Sequence, residues 1–124
     1  VKSDEIVTGI NFEIPAPGEV LRLFKVSQRK DLDISCVNAG FRMSVKDGKI
    51  SEMRIALGGV GPTVLSLPKT ESYLRGKTLD ESTIIETLKL IAKEISPRSD
   101  VRGQADYRLR LSQNLFKKFA AEQA

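Results

Sequence analysis

The fold is decided by the stretch Val37–Leu57, which reads VNAGFRMSVKDGKISEMRIAL. Apolar and polar residues alternate on both sides of Asp47-Gly48, a dipeptide that favours the tight turn of a β-hairpin. On the return the alternation holds from Met53 to Leu57, whereas Ile50 is out of phase with it. A β-bulge near Ser51 restores the register. The stretch therefore predicts an antiparallel hairpin with one buried face.

The segments on either side of the hairpin predict further strands. Ile6–Ile14 alternates cleanly and is ended by Pro15–Gly18, because prolines remove ladder donors and glycine permits a turn. Glu19–Gln28 fits neither the strand nor the helix period, and we expect a short helical or irregular connection there. Beyond the hairpin, Thr63–Leu67 supplies another short strand before a proline.

Three helical segments follow. Lys69–Leu74 predicts a short helix stopped by Gly76, and Thr78–Glu81 has the pattern of a capping box for the next one. That second helix carries a stripe of apolar residues on one face, namely Ile84, Leu88, Ile91 and Ile95. A last helix from about Gln104 to Ala121 directs its own apolar residues inward: Ala105, Leu109, Leu111, Leu115, Phe116 and Phe119.

Strands first and helices after predict an α+β fold. We expect one domain spanning residues 1–124, with an antiparallel β-sheet of three to four strands and about three helices packed on one face. No internal repeat or interdomain linker interrupts the sequence.

Composition excludes several functions. The chain has no histidine, which removes Ser-His and Cys-His nucleophile pairs and the usual zinc or haem ligands. A net charge of +4 invites a nucleic-acid partner, but aromatic residues, which a base-stacking platform requires, make up only 6% of the chain. No apolar run approaches the roughly 20 residues that cross a bilayer. We expect a cytoplasmic protein without nucleic-acid or membrane partners, and a chain that starts at Val1 is compatible with a fragment.

The remaining candidates for chemistry are few. Cys36 fits a half-buried structural thiol better than a nucleophile, because nothing beside it lowers a thiol pKa. Gly58–Gly61 is either a tight turn, which we favour, or a phosphate cradle lacking the spacing of known phosphate motifs. We expect no shared acid-base role for Asp31 and Asp33. Lys25 and Arg29 are either solvent-facing charges or cations that face an anionic or electron-rich ligand.

A family resemblance bears on this last choice. Phe24–Ile34, FKVSQRKDLDI, resembles a Phe-Lys-x-x-x-Arg-x-x-x-Asp stretch in the C-terminal domain of the FAD-binding subunit of molybdenum hydroxylases, the xanthine dehydrogenase and carbon monoxide dehydrogenase flavoprotein family. Ala56–Val60, Glu71–Lys77 and Asp106–Arg108 resemble later motifs of that domain in the same order. One departure is Leu32, where many NAD-reducing relatives carry an acid.

The resemblance implies a function for the chain. It would be the C-terminal part of the flavoprotein subunit and would close the FAD site over the isoalloxazine ring, with Lys25 and Arg29 as cofactor-binding residues. FAD would be shared with an upstream domain absent from these residues, while the molybdenum cofactor and the iron-sulfur clusters would lie on partner subunits or domains. The chain itself would hold no catalytic residue and no metal ligand, and a homodimer is compatible with it. The alternative is a non-catalytic oligomerisation or interaction module that never meets a flavin.

Overall fold

The computed structural model describes residues 1–123. It contains four strands followed by three helices, which are β1 (Val20–Val26), β2 (Val37–Lys46), β3 (Lys49–Gly58), β4 (Leu65–Ser66), α1 (Pro68–Leu74), α2 (Glu81–Glu94) and α3 (Ala105–Ala121). The strands form one antiparallel sheet in the order β1-β2-β3-β4. The α+β prediction is confirmed.

The central hairpin forms as its sequence predicts. Asp47 and Gly48 make the turn, and both have positive φ angles, 52° and 74°, as a tight hairpin turn of matching twist requires. Ser44 pairs with Glu52, whereas Val45 pairs with Ile50, so one residue of β3 is left out of the ladder. That extra residue, Ser51, is the predicted bulge. It lets Ile50 join the later apolar residues of β3 on the buried face.

The core lies between one face of the sheet and the helices. α1 packs on β3, α3 packs on β2, and α2 packs against the other two helices. Phe41 of β2 lies at the centre, with its ring centroid 5.9 Å from that of Phe116 and 5.0 Å from that of Phe119, both on α3. All three side chains are fully buried. Such aromatic contacts add to the free energy gained from area burial alone.

The first strand is not where the alternation predicts it. Ile6–Ile14 forms no strand in the structure, and its apolar side chains, such as Ile10 and Phe12, are exposed. The edge of β2 is paired instead by Val20–Val26, within the segment expected to be irregular or helical. The pattern misled because β1 carries apolar residues on both faces, which hides the period of two. An alternating segment without a neighbouring strand is not stable as a strand by itself.

The start and the buried face of α2 also differ from the prediction. The N-cap is Asp80, whose Oδ1 accepts a hydrogen bond from the Thr83 backbone N–H at 2.8 Å, while Thr78 only donates its hydroxyl to Asp80. The fully buried stripe is Thr83, Thr87 and Ile91, with Ile84 and Leu88 half-buried beside it. Threonine can face the core here because the Thr87 hydroxyl donates to the Thr83 carbonyl at 2.7 Å.

The other two helices agree with the sequence. α1 ends at Leu74, and Gly76 follows with a φ of 78° that favours glycine. α3 buries Leu115, Phe116 and Phe119 as predicted, whereas the other apolar residues expected inward, Ala105, Leu109 and Leu111, are half-buried. Within residues 1–123, no helix is both long and apolar enough to cross a membrane.

Candidate functional site

The face of the sheet opposite the helices is open. Gly40 of β2 lies between Leu23 of β1 and Ala56 of β3 in the strand register. These three residues border two adjoining clefts of about 440 and about 290 Å³, and Val64 closes the smaller one. We call Leu23, Gly40, Ala56 and Val64 the open-face shelf. It is a flat apolar surface with small residues at its centre.

The shelf is apolar and uncovered. Leu23 is 76% exposed and Val64 66% exposed, which is unusual for large apolar side chains that lie together. The Leu23 side chain leans over Gly40, since a Cβ atom at Gly40 would lie 3.3 Å from the Leu23 Cδ2 atom. The shelf therefore offers Leu23 and the small Ala56 as apolar contacts for a ligand.

Lys25 lies beside this shelf. It follows Leu23 by two positions on β1, so the two side chains leave the same face of the sheet. Lys25 is exposed, and its side chain forms no hydrogen bond or salt bridge within residues 1–123. Its cross-strand neighbour is Asn38, an uncharged residue. The predicted cofactor residue thus supplies a free positive charge at the edge of an apolar surface.

Arg29 is engaged differently. It lies in the loop Ser27–Ser35 between β1 and β2, and its backbone N–H donates to Asp33 Oδ2 at 2.8 Å. Its guanidinium lies 3.5 Å from Asp33 Oδ1 and donates to the Leu32 carbonyl at 3.2 Å. The hydrogen bond from the Arg29 backbone, a second one from Ile34 and the nearby guanidinium all lower the pKa of Asp33. The Arg-x-x-x-Asp spacing therefore folds this loop.

The tip of the loop is strained. Leu32 has a φ of 50° and an almost fully exposed side chain. Leucine is rare in this left-handed conformation, whereas Asp and Asn adopt it several times more often. An aspartate at this position would fit the same backbone with less strain.

Cys36 closes the base of the loop. Its backbone N–H donates to the Val26 carbonyl at 2.7 Å, and its thiol donates to the Arg102 carbonyl at 2.7 Å. Cys36 is buried. The thiol therefore has a structural role, as expected, and is more deeply buried than the sequence suggested.

Arg108 is a polar residue of this region that sequence reasoning missed. It lies on α3, is only 4% exposed, and donates to the carbonyls of Cys36 and Gly59 and to Asp100 Oδ1. A signal was available, because position 108 precedes buried Phe116 by eight residues and so lies on the inward side of the helix. Charge alone suggested a solvated face.

The two glycine motifs have structural explanations. Gly59 has a φ of 81°, and a Cβ atom there would lie 2.3 Å from the Cys36 carbonyl oxygen, so this segment is the close turn favoured by the sequence. In the motif Glu71–Lys77, Glu71 Oε1 accepts the Ile55 N–H at 2.9 Å, and the Gly76 N–H donates to the Ile50 carbonyl at 2.7 Å. Both ends of that motif thus bind the edge of β3. Within the described residues, no cluster of metal-ligating side chains is present.

Comparison with known proteins agrees with these motifs. The CO dehydrogenase flavoprotein C-terminal domain family matches residues 22–123. Xanthine dehydrogenase 1 of Arabidopsis thaliana is 34% identical over 122 residues, covering 94% of this chain and 9% of the relative. The xanthine dehydrogenase FAD-binding subunit of Escherichia coli O157:H7 is 28% identical over 124 residues, covering 98% of this chain and 42% of the subunit.

Solved structures show the same fold. Quinoline 2-oxidoreductase from Pseudomonas putida 86 superposes with a TM-score of 0.75 at 30% identity, covering 88% of this chain and 38% of that chain. CO dehydrogenase from Oligotropha carboxidovorans gives a TM-score of 0.77 at 24% identity over 85% of this chain and 36% of that one, a likeness of fold alone. The chain spans less than half the length of these relatives. Since the family match covers most of the chain, the chain belongs to the CO dehydrogenase flavoprotein C-terminal domain family.

Proposed function

We propose that this chain is the C-terminal part of the FAD-binding subunit of a xanthine dehydrogenase-like molybdenum hydroxylase, where it closes the FAD site over the isoalloxazine ring for electron transfer from iron-sulfur clusters. The observation that carries the proposal is the uncovered open-face shelf beside the unpaired Lys25, in a chain of a flavoprotein family. Family membership favours this function over an interaction module that never meets a flavin.

The chemistry of the surface fits a flavin ring. The ring is flat and has an apolar dimethylbenzene end, and the small side chain of Ala56 leaves room on the sheet beside Leu23 for that end to pack. Leu23 and Val64 would cover its edges, which removes their exposed apolar area from water. We infer that the shelf binds one face of the ring and that an upstream domain binds the rest of FAD.

Lys25 would act electrostatically on this cofactor. FAD supplies two-electron chemistry and gains negative charge when it is reduced. A fixed ammonium group about 4 Å away interacts with a unit charge by roughly 4 kcal/mol at an effective dielectric near 20, and solvent access reduces this to about 1 kcal/mol. Lys25 would thus favour the reduced state of the bound cofactor.

Arg29 is the second proposed cofactor-binding residue, and its geometry allows it both to fold the loop and to contact the cofactor. Its hydrogen bonds to Asp33 and Leu32 fold the loop next to Lys25, while the guanidinium keeps most of its surface in solvent. It can hold the loop and still present donors to a bound cofactor. We infer that Arg29 orders the loop first and contacts FAD second.

The rest of the reaction is proposed to lie outside these residues. The domain alone would not be catalytically active, because the molybdenum cofactor and the iron-sulfur clusters would be held by partner subunits or domains. The name of one relative, an FAD-binding subunit, supports this arrangement. A cytoplasmic location fits the single buried cysteine, and the proposal includes a homodimer.

Substitution of Lys25 in the assembled enzyme tests the proposal. We expect Lys25→Met to lower the two-electron flavin potential by roughly 20 mV or more, because about 1.4 kcal/mol corresponds to 30 mV. Substrate oxidation at molybdenum should hardly change. The matched control is Lys46→Met, an exposed lysine at the far end of β2, which should leave the potential unmoved. An unchanged potential in Lys25→Met, with FAD still bound, would show that Lys25 does not face the flavin.

A further inference from the structure

The most deeply buried charge in the chain lies at the base of the Ser27–Ser35 loop. Arg108 on α3 donates from one terminal nitrogen to the carbonyls of Cys36 and Gly59, the latter at 2.9 Å, and from the other to Asp100 Oδ1 at 2.6 Å. Its Nε atom is buried and has no partner within residues 1–123. One guanidinium on α3 thus contacts three other segments: the residue before β2 (Cys36), the turn after β3 (Gly59) and the segment that precedes α3 (Asp100).

The contacts around Cys36 extend this junction to both ends of the loop. The Cys36 N–H donates to the Val26 carbonyl at 2.7 Å, which joins the two ends of the loop to each other. The Cys36 thiol at the end of the loop and the Gln28 side-chain amide near its start both donate to the Arg102 carbonyl, at 2.7 and 3.2 Å. The loop is therefore fastened to the turn at Asp100–Gly103 from both sides.

That turn is itself held by the charge that faces Arg108. Asp100 Oδ1 accepts the Arg102 backbone N–H at 2.8 Å, and the backbone of Asp100 pairs with that of Gly103. The hydrogen bonds from the Arg102 backbone and the Arg108 guanidinium lower the pKa of Asp100. The carboxylate thus fixes the guanidinium and the Arg102 carbonyl in one arrangement.

Packing alone does not explain an arginine at this position. A buried guanidinium loses its hydration, and an apolar side chain of similar volume often stabilises a core as well or better. Its planar fork, however, can donate to two carbonyls and a carboxylate in one fixed geometry, which neither an apolar side chain nor lysine can do. The arrangement therefore specifies the relative position of three backbone segments.

We propose that Arg108, held by Asp100, is a positioning residue for the flavin-facing end of β1. It acts through Cys36, which fixes Val26 next to Lys25 and fastens the loop that carries Arg29. This inference rests on the proposed function, in which Lys25 and the loop face the cofactor. We call this set of contacts, Arg108, Asp100, Cys36 and Arg102, the loop clasp.

Asp100 offers the cleanest test because it is half exposed, so its loss does not empty the core. We expect Asp100→Ala, in the assembled enzyme, to speed hydrogen exchange of the Cys36 amide and of the loop amides by about tenfold or more, since the clasp sets the local opening equilibrium. We also expect the FAD dissociation constant to rise about threefold or more and the flavin potential to move in the same direction as in Lys25→Met. Asp100→Asn retains the Oδ1 acceptor and should largely restore all three properties.

The matched control is Asp106→Ala. Asp106 is an exposed acid on the first turn of α3, its removal changes the net charge equally, and its side chain makes no hydrogen bond or salt bridge within residues 1–123. It should leave loop exchange, FAD affinity and potential near those of the parent enzyme. A potential that shifts equally in Asp100→Ala and Asp106→Ala would mean that only long-range charge is acting, and it would overturn the positioning role.

The other outcomes separate the two proposals. Unchanged loop exchange in Asp100→Ala would overturn the loop clasp and leave the flavin-facing role of Lys25 standing. Faster loop hydrogen exchange in Asp100→Ala with unchanged flavin properties would overturn only the positioning role of Arg108, provided that Lys25→Met still lowers the potential. If neither Lys25→Met nor Asp100→Ala alters the flavin, the proposed function fails together with this inference.

Discussion

Enlarging Ala56 tests the open-face shelf directly. Ala56 lies opposite Gly40 in the register and borders both clefts. In Ala56→Leu, the added side chain would occupy the surface on which we propose that the flavin ring lies. Inserting atoms into a close-packed contact typically costs 1–3 kcal/mol. We therefore expect FAD in the assembled enzyme to bind about 5 to 150 times more weakly, because about 1.4 kcal/mol corresponds to a factor of ten.

The same substitution on the opposite face is the control. Ala39 precedes Gly40 on β2, faces the helices and is buried, so Ala39→Leu forces extra volume into the core. It should lose about 1–3 kcal/mol of unfolding free energy. For a chain of this length that lowers the melting temperature by roughly 3–15 °C. Ala56→Leu faces solvent when the chain is alone, and its unfolding free energy should stay within about 0.5 kcal/mol of the parent.

Two measurements decide the matter: a thermal melt of the chain alone and an FAD titration of the assembled apoenzyme. The expected pattern is crossed, with Ala39→Leu changing mainly stability and Ala56→Leu changing mainly FAD affinity. Undiminished FAD affinity in Ala56→Leu would show that the ring does not lie on the shelf. A melt of Ala56→Leu as low as that of Ala39→Leu would show that we have misassigned the two faces of the sheet.

Three further predictions concern the chain itself. Ile91→Ala should cost about 2–5 kcal/mol of unfolding free energy, because Ile91 is fully buried on α2. Leu88 is half-buried, so Leu88→Ala should cost less, and Lys89→Ala at an exposed position should lie within about 0.5 kcal/mol of the parent. Equal losses in chemical denaturation would contradict the assigned helix face. Four acids have folded-state pKa values below the ordinary ones, which are 4.5 for Glu and 3.8 for Asp: Glu19, Asp33, Asp80 and Asp100. The stabilisation of the folded state by these carboxylates is therefore complete above the ordinary values and is lost as the pH falls through the folded-state pKa values. The melting temperature should therefore be flat from about pH 6 to 8, where no histidine titrates, and should fall below about pH 4.5; a melt that stays constant to pH 3 would refute this. The chain alone should bind FAD with a dissociation constant above about 1 μM, equivalent to less than about 8 kcal/mol, and tighter binding in a fluorescence titration would show that a complete site is already present.

The parts of the fold that were predictable are those whose signals are local. Asp47-Gly48 and the flanking alternation specify a hairpin whatever the rest of the chain does, and the bulge follows from the phase of Ile50. β1 was not predictable in this way, because it is a strand only through its pairing with β2 and both of its faces carry apolar residues. Ile6–Ile14 has the better local pattern but no partner strand, which shows that alternation without a neighbour does not decide structure.

The candidate site likewise has features with a sequence signal and features without one. Lys25 was predicted from the family motif to face the flavin, and the structure adds that no described residue forms an ion pair with it. The open-face shelf gave no sequence signal, since small residues such as Gly40 and Ala56 gain meaning only when the strand register places them side by side. Arg108 was counted among the solvated charges because none of its acceptors lies on α3. The two backbone carbonyls belong to Cys36 and Gly59, far away in sequence, and Asp100 lies in the segment before the helix.

One physical constraint connects the core with the proposed site. Successive residues of β2 point to opposite faces of the sheet. Ala39 and Phe41 therefore enter the core, while Gly40 between them lies on the shelf. A slip of one residue in the pairing would expose the core residues and bury the polar ones, and burial of Phe41 against α3 therefore sets the register. The bulge at Ser51 confines the change of phase to the end of the hairpin near the turn, away from the pairing of Gly40 with Ala56. The hydrophobic energy that stabilises the fold thus also aligns the small residues of the shelf, and Lys25 is placed beside them by the same ladder through its pairing with Asn38.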